Sequence, residues 1–116
     1  MVGATAFNTT SDRAAKQDFT AVDVQAVLAS VATLPITQWR FKDFPGALHL
    51  GPTAQDFHAA FGLGFDNKHI ATVDADGVAL TAIQGLNQKL EEQRAELKQK
   101  ETEITELKQR MEKLEI

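Results

Sequence analysis

The sequence predicts an α+β fold, in which a small head of short helices and a β-hairpin is followed by a long C-terminal helix that forms a parallel coiled coil. Three observations predict it. Apolar residues recur three and four apart in 22–32, polarity alternates in 36–42, and a heptad repeat fills the last third. The predicted division is an upstream linker or remnant at 1–10, a head at 11–76 and a long helix at 77–116, with the coiled coil from about residue 83.

The composition narrows the classes of function. The chain has 116 residues, a net charge of −4 and no cysteine. The acidic balance without a basic block argues against a nucleic-acid surface, and the lack of cysteine excludes disulfides and thiolate metal sites. No run approaches the ~20 apolar residues of a membrane span, and the first ten residues lack the pattern of a signal peptide. We expect no cofactor and no metal, since His58 and His69 have no partner at ligand spacing.

Capping residues and periodicity define the elements of the head. Asp23 is a plausible N-cap for a helix that ends at Pro35. Its apolar positions are Val24, Val27, Leu28 and Val31. The alternating segment 36–42 predicts a strand, paired through a turn at 44–46 with a second strand at 48–50. Thr53 can cap a second helix that Gly62 ends near Phe61. The aromatic residues expected in the core are Trp39, Phe41, Phe57 and Phe61.

The long helix is expected from Val78 onward, with Asp74 or Asp76 as its cap. Its heptads place a mostly apolar seam along one face, interrupted at two consecutive d positions by Gln93 and Lys100. The apolar seam residues are Ile83, Leu86, Leu90, Leu97, Ile104, Leu107, Met111 and Leu114. A lone helix could not bury this seam against so small a head, so self-association is predicted.

Charges beside the seam predict where the association is strong. In the middle of the seam, the residues that flank it on neighbouring chains carry charges of the same sign: Lys89 with Arg94, and Glu96 with Glu101. Further on the charges are opposite: Glu103 faces Lys108, and Arg110 faces Glu115. This pattern predicts parallel, in-register pairing that is weak in the middle and firm at the C-terminal end. The seam residues do not fix the number of strands; isoleucine at a with leucine at d favours two.

Ser11 and Lys16 are the candidate nucleophile and base. A serine hydroxyl needs a group that takes its proton, and a neutral lysine amine can do so. Free lysine has a pKa of about 10.4, so burial is needed to make the amine neutral. Residues five apart lie about 140° apart around a regular helix, so the pair requires a break between them or a lysine from a neighbouring chain. The alternative is structural: Ser11 as an N-cap, with Asp12 and Lys16 as an exposed ion pair.

Four motifs in order resemble the peptidase S74 family, the C-terminal intramolecular chaperone domains of phage tail fibres, tailspikes and endosialidases. They are Ser11-Asp12-Arg13-x-x-Lys16, Trp39-x-Phe41-Lys42, His49-x-Gly51-x-x-Ala54-Gln55-Asp56, and a long helix containing Ala82-Ile83-Gln84. The resemblance covers about residues 9–95. It implies a homotrimer that helps an upstream fibre to trimerise and then cuts itself off just before the serine, a single-turnover autoproteolytic serine endopeptidase. It also implies a virion precursor made in a host cytoplasm, or a bacterial surface protein.

Carried onto this chain, the resemblance implies cleavage of the Thr10–Ser11 bond, with Ser11 as nucleophile and Lys16 as general base. It suggests supporting roles for Asp12, His49, Gln55 and Asp56. The family usually has a large apolar residue before the lysine, where this chain has Ala14 and Ala15. That departure predicts slow or absent cleavage with the fold kept. The alternatives are a trimeric tip that stays attached to the fibre without cleaving, or a head that merely caps a coiled coil.

Overall fold

The structure is a computed structural model and describes residues 10–115. The predicted linker therefore lies outside the described residues, except for Thr10. The elements in chain order are a single 3-10 turn, two short helices with a hairpin between them, and one long helix. Their bounds are Arg13–Ala15 for the 3-10 turn, Val24–Thr33 for α1, Thr37–Trp39 for β1, His49–Gly51 for β2, Ala54–Phe61 for α2 and Thr72–Leu114 for α3. The molecule is elongated, 83 × 40 × 30 Å, as an α+β head on a long helix predicts.

The predicted cap of α1 is confirmed. The Asp23 carboxylate accepts hydrogen bonds from the backbone N–H groups of Gln25 and Ala26, both at 3.1 Å. These N–H groups have no partner within the helix, so the side chain supplies one. The helix ends at Thr33, two residues before Pro35.

The two strands form an antiparallel hairpin in which Trp39 pairs with His49 and Thr37 with Gly51. Each strand has three residues, so β1 is shorter than the predicted 36–42. The connecting loop is wide, and the Arg40 guanidinium donates to the Pro45 carbonyl oxygen at 3.0 Å.

Helix α2 has both of its predicted ends. The Thr53 hydroxyl accepts from the Asp56 N–H at 3.1 Å, and Gly62 ends the helix in the left-handed conformation at φ 64°, which glycine adopts without steric cost. Phe57 is buried and lies 5.0 Å from Phe61, ring centre to ring centre. The expectation that Phe41 belongs to the core is wrong, because it is more than half exposed.

Helix α3 begins six residues earlier than predicted. Its N-cap is Ala71, which forms no side-chain capping bond, so the expectation that Asp74 or Asp76 caps it is wrong. Asp74 lies in the first turn instead, where its charge suits the helix dipole. Val73 and Gly77 line a groove shared with α1 and α2, so these added turns lie beside the head.

The first turns of α3 pack closely on α1. Val78, Ala82 and Gly85 are buried at this contact. Gly85 is the point of closest approach, since an added Cβ would lie 2.7 Å from the Val24 carbonyl oxygen. The Gln25 amide donates to the Gly85 carbonyl oxygen at 2.8 Å and to the Gln88 side chain at 3.1 Å. A glycine at this position therefore fixes how near the two helices lie.

The predicted seam lies on a different face of α3. At about 100° per residue, the line through Ile83, Leu86 and Leu90 lies roughly a third of a turn away from the face that contacts α1. All eight apolar seam residues are exposed in the single chain, from 45% for Leu90 to 85% for Leu114. Within the described residues, the buried apolar side chains are only Phe57, Val78 and Ala82. In this part of the chain, exposed large apolar side chains therefore far outnumber buried ones. No helix in 10–115 is long and apolar enough to cross a membrane.

Candidate functional site

The candidate site is built on the 3-10 turn that precedes the head. Asp12 caps this turn, and its carboxylate accepts from the Ala14 N–H at 3.1 Å. The Ala15 N–H donates to the Asp12 carbonyl oxygen at 3.0 Å. Lys16 then leaves the turn with extended backbone, at φ −117° and ψ 156°. The helical rotation is therefore interrupted between Ser11 and Lys16, as the sequence argument requires of a pair in one chain.

The break brings the two side chains together. The Lys16 Nζ lies 2.6 Å from the Ser11 Oγ and donates a hydrogen bond to it. No neighbouring chain is needed for this contact, because both groups come from the same short turn. Ser11 and Lys16 would point in different directions on a regular helix, but no such helix forms here.

The pair is open to solvent. Every residue from Thr10 to Val22 is exposed, and Asp18 adopts a positive φ of 58° on the way to α1. Asp18 is of the residue class that tolerates this conformation best after glycine. The head of a single chain therefore leaves the serine and the amine in water.

Of the candidate supporting residues, Asp12 is the one whose hydrogen bonds, within the described residues, belong to the turn that holds the pair. Among the hydrogen bonds within 10–115, none joins Ser11 or Lys16 to His49, Gln55 or Asp56. Gln55 and Asp56 occupy the first turn of α2. Asp12 serves the pair indirectly, by capping the turn that holds it.

His49 belongs to an aromatic cluster on the hairpin. Its ring stacks on Trp39 at 4.9 Å and meets Phe41 edge-on at 5.3 Å. The Trp39 indole donates to the Gly51 carbonyl oxygen at 3.3 Å, which ties the cluster to β2. These contacts favour a role for His49 in ordering the hairpin.

The other two histidines also make local contacts. The His58 Nδ1 lies 3.1 Å from the Leu63 carbonyl oxygen, so that nitrogen carries the proton, since a carbonyl only accepts. The His69 ring lies 3.1 Å from the Asp66 carboxylate. The backbone N–H of Lys68, followed by the His69 side chain, holds the pKa of Asp66 below its ordinary value of 3.8. This bond network orders the loop before α3.

The contact between Gln25 and Gly85 is the feature that sequence reasoning missed. A lone glycine inside a strong heptad pattern weakens a helix, so it indicates close packing or a function. That signal was available in the sequence, whereas the partner on α1 was not.

The protein has an α+β head on a long helix. The turn before the head holds a serine hydroxyl and a lysine amine in hydrogen-bond contact, which makes the pair a candidate serine–lysine dyad. Residues 11–63 match the family model Peptidase_S74, described as chaperone of endosialidase. The matched family is the one that the sequence motifs resemble, and the description of its model names a chaperone. The match begins at Ser11 and ends after α2, so α3 lies beyond it. A comparison with curated proteins found no match to the chain.

Proposed function

We propose that this chain is an intramolecular chaperone that brings three copies of an upstream fibre or adhesin together and then cuts itself off at the Thr10–Ser11 bond. The observation that carries the proposal is the 2.6 Å contact between the Lys16 amine and the Ser11 hydroxyl. It supports the role of the two residues as base and nucleophile, because proton transfer requires hydrogen-bond distance.

The chemistry follows from that contact. A neutral Lys16 amine accepts the hydroxyl proton, and Ser11 Oγ attacks the carbonyl carbon of Thr10. The bond between that carbon and the Ser11 nitrogen breaks as the nitrogen takes the proton from Lys16, which leaves the acyl group on Oγ as an ester and the nitrogen as an amine. Water then hydrolyses the ester. Each chain reacts once, because its substrate is its own backbone.

Assembly supplies what the single chain lacks. A lysine amine that remains in water is protonated at neutral pH and cannot act as a base. Because the pair is exposed in one chain, we infer that neighbouring copies cover the turn and exclude water from it. The exposed seam of α3 supports this inference, since it offers a surface through which copies can be held side by side.

Intact mass of the freshly purified chain tests the cleavage. We expect the wild type to lose the ten residues before Ser11, and both Ser11→Ala and Lys16→Ala to keep them. Lys98→Ala is the matched control, because it removes an exposed lysine from α3 and is expected to cut normally. Full-length wild-type protein after prolonged incubation would falsify the cleavage.

A second candidate is a trimeric tip that stays attached to its fibre and does not cleave. Ala14 and Ala15 favour it, because both are exposed and offer little apolar surface to shield the neighbouring amine. A wild-type chain that assembles but remains uncut would distinguish the tip from the self-cleaving chaperone.

A further inference from the structure

The cut proposed above would leave an unusual chain end. Ser11 would carry a free α-amine on the carbon next to the one that bears its hydroxyl. The same hydroxyl lies 2.6 Å from the Lys16 amine. One oxygen nucleophile would then have amines on both sides, and enzymes with an N-terminal threonine use the α-amine to activate the hydroxyl.

We propose that the cut end is an acyl-accepting site, in which Ser11 takes an acyl group from an activated ester or thioester and passes it to its own α-amine. The inference rests on the proposed cleavage. In cleavage, the Ser11 nitrogen loses the acyl group of Thr10. In the proposed reaction, the same nitrogen gains an acyl group from the donor.

The first step forms an ester. Ser11 Oγ bonds to the carbonyl carbon of the donor, and the hydroxyl proton passes to the neutral α-amine of the chain end, while Lys16 donates its hydrogen bond to the same oxygen. The bond from that carbon to the alcohol or thiol of the donor breaks, and the leaving group departs with the bonding electrons. A proton from the ammonium neutralises it.

The second step forms an amide. The α-amine attacks the ester carbonyl through a five-membered ring, which is accessible because nitrogen and oxygen stand on adjacent carbons. The bond between the carbonyl carbon and Oγ breaks, and Oγ regains the proton that the amine loses. The product is a chain acylated at the nitrogen of Ser11, with its hydroxyl restored.

The properties of the site suit this reaction. The turn is exposed, so a small donor can reach it. An α-amine has a pKa of about 7.7–8.0, so a useful fraction is neutral and nucleophilic near neutral pH. The turn is also local, since Asp12 caps it without help from the head, and the cut removes no described helix or strand.

The test uses the full chain with a recognition sequence for a specific protease in place of residues 6–10, so that the protease exposes residue 11 in every variant without self-cleavage. Wild type, Ser11→Ala and Lys16→Ala are treated with p-nitrophenyl acetate, and the acetylated amine is located by mass spectrometry of peptides. Acetylation of the exposed Lys98 in the same samples corrects for the general reactivity of amines.

We expect the chain end of the wild type to be acetylated about tenfold faster than that of the Ser11→Ala variant, below the 10²–10⁴ that general-base assistance gives in enclosed sites. The rate of the Lys16→Ala chain should fall towards that of Ser11→Ala, because the variant loses the hydrogen bond that Lys16 donates to the Ser11 hydroxyl. Equal rates for wild type and Ser11→Ala, or a Lys16→Ala chain as fast as wild type, overturn the inference. Because the protease makes the end, failed self-cleavage would count against the proposed function alone.

Discussion

The two parts of helix α3 differ in what covers them. In the first part, Val78, Ala82 and Gly85 are buried against α1, and the contact is close enough to exclude a side chain at Gly85. In the second part, the more regular apolar pattern from Leu90 to Leu114 remains exposed. Helix α3 therefore has two roles. Its beginning completes the head of its own chain, and its remainder offers a surface suited to other copies.

The largest effect is expected from charges placed in the exposed part. We expect Ile104→Asp combined with Leu107→Asp to abolish assembly, because carboxylates from every copy would meet where apolar layers should form. Cleavage at Thr10–Ser11 should be lost with it. Thr105→Asp, on the outer face, is the control. Sedimentation and intact mass measure both effects, and unchanged cleavage in a monomeric double variant would separate the dyad from assembly.

The buried part is tested at Gly85. We expect Gly85→Ala to destabilise the protein by about 1–3 kcal/mol, because the new Cβ would overlap the Val24 carbonyl oxygen at 2.7 Å and force α1 away. Gly77→Ala is the matched control on the same helix, where an added Cβ meets nothing within 4 Å. It should be neutral or stabilise by about 0.5–1 kcal/mol through helix propensity. Chemical denaturation measures both, and equal behaviour of the two variants would contradict the close contact.

A smaller effect of opposite sign is expected in the middle of the seam. Lys100 is charged at a d position, so Lys100→Leu should stabilise the assembled protein by about 1–2 kcal/mol per chain. Lys98→Leu, on the outer face, should change little. Thermal unfolding at several protein concentrations measures the effect. A Lys100→Leu chain no more stable than wild type would mean that this layer does not enter an interface.

The smallest effect is expected at Asp66, in the loop before α3. Its lowered pKa means that the charged form favours the folded state, so its contribution is present above the ordinary value of 3.8 and is lost as the pH falls through the lower folded value. We expect Asp66→Asn to lower the melting temperature slightly at neutral pH and to match wild type in strong acid. A difference that persists at the lowest pH would point to the loop shape instead of the charge.

Local signals predicted the head well. Asp23, Thr53 and Gly62 mark helix ends through capping chemistry that depends only on nearby residues, and each has the predicted role. The hairpin was predicted from the alternating polarity of 36–42 and the turn at Pro45-Gly46, although its paired strands are shorter than predicted. The start of α3 could not be predicted from local signals. The residues beside its first turns come from α1 and α2, which are distant in sequence.

The sequence predicted which residues form the candidate site but not how they are arranged. The spacing of Ser11 and Lys16 required a break, and the sequence left open whether a break or a second chain would join them. The Asp12 cap and the extended Lys16 backbone explain the contact within one chain. The close approach at Gly85 was missed, because it depends on the crossing of two helices whose contacting residues, Gln25 and Gly85, lie 60 apart in sequence.

Sedimentation of the purified wild-type chain over a range of concentrations tests the central claim most directly, because assembly is what would make the amine next to Ser11 a base. We expect the mass of three chains at working concentration. The mass of one chain would contradict both the coiled coil and the assembly-dependent cleavage.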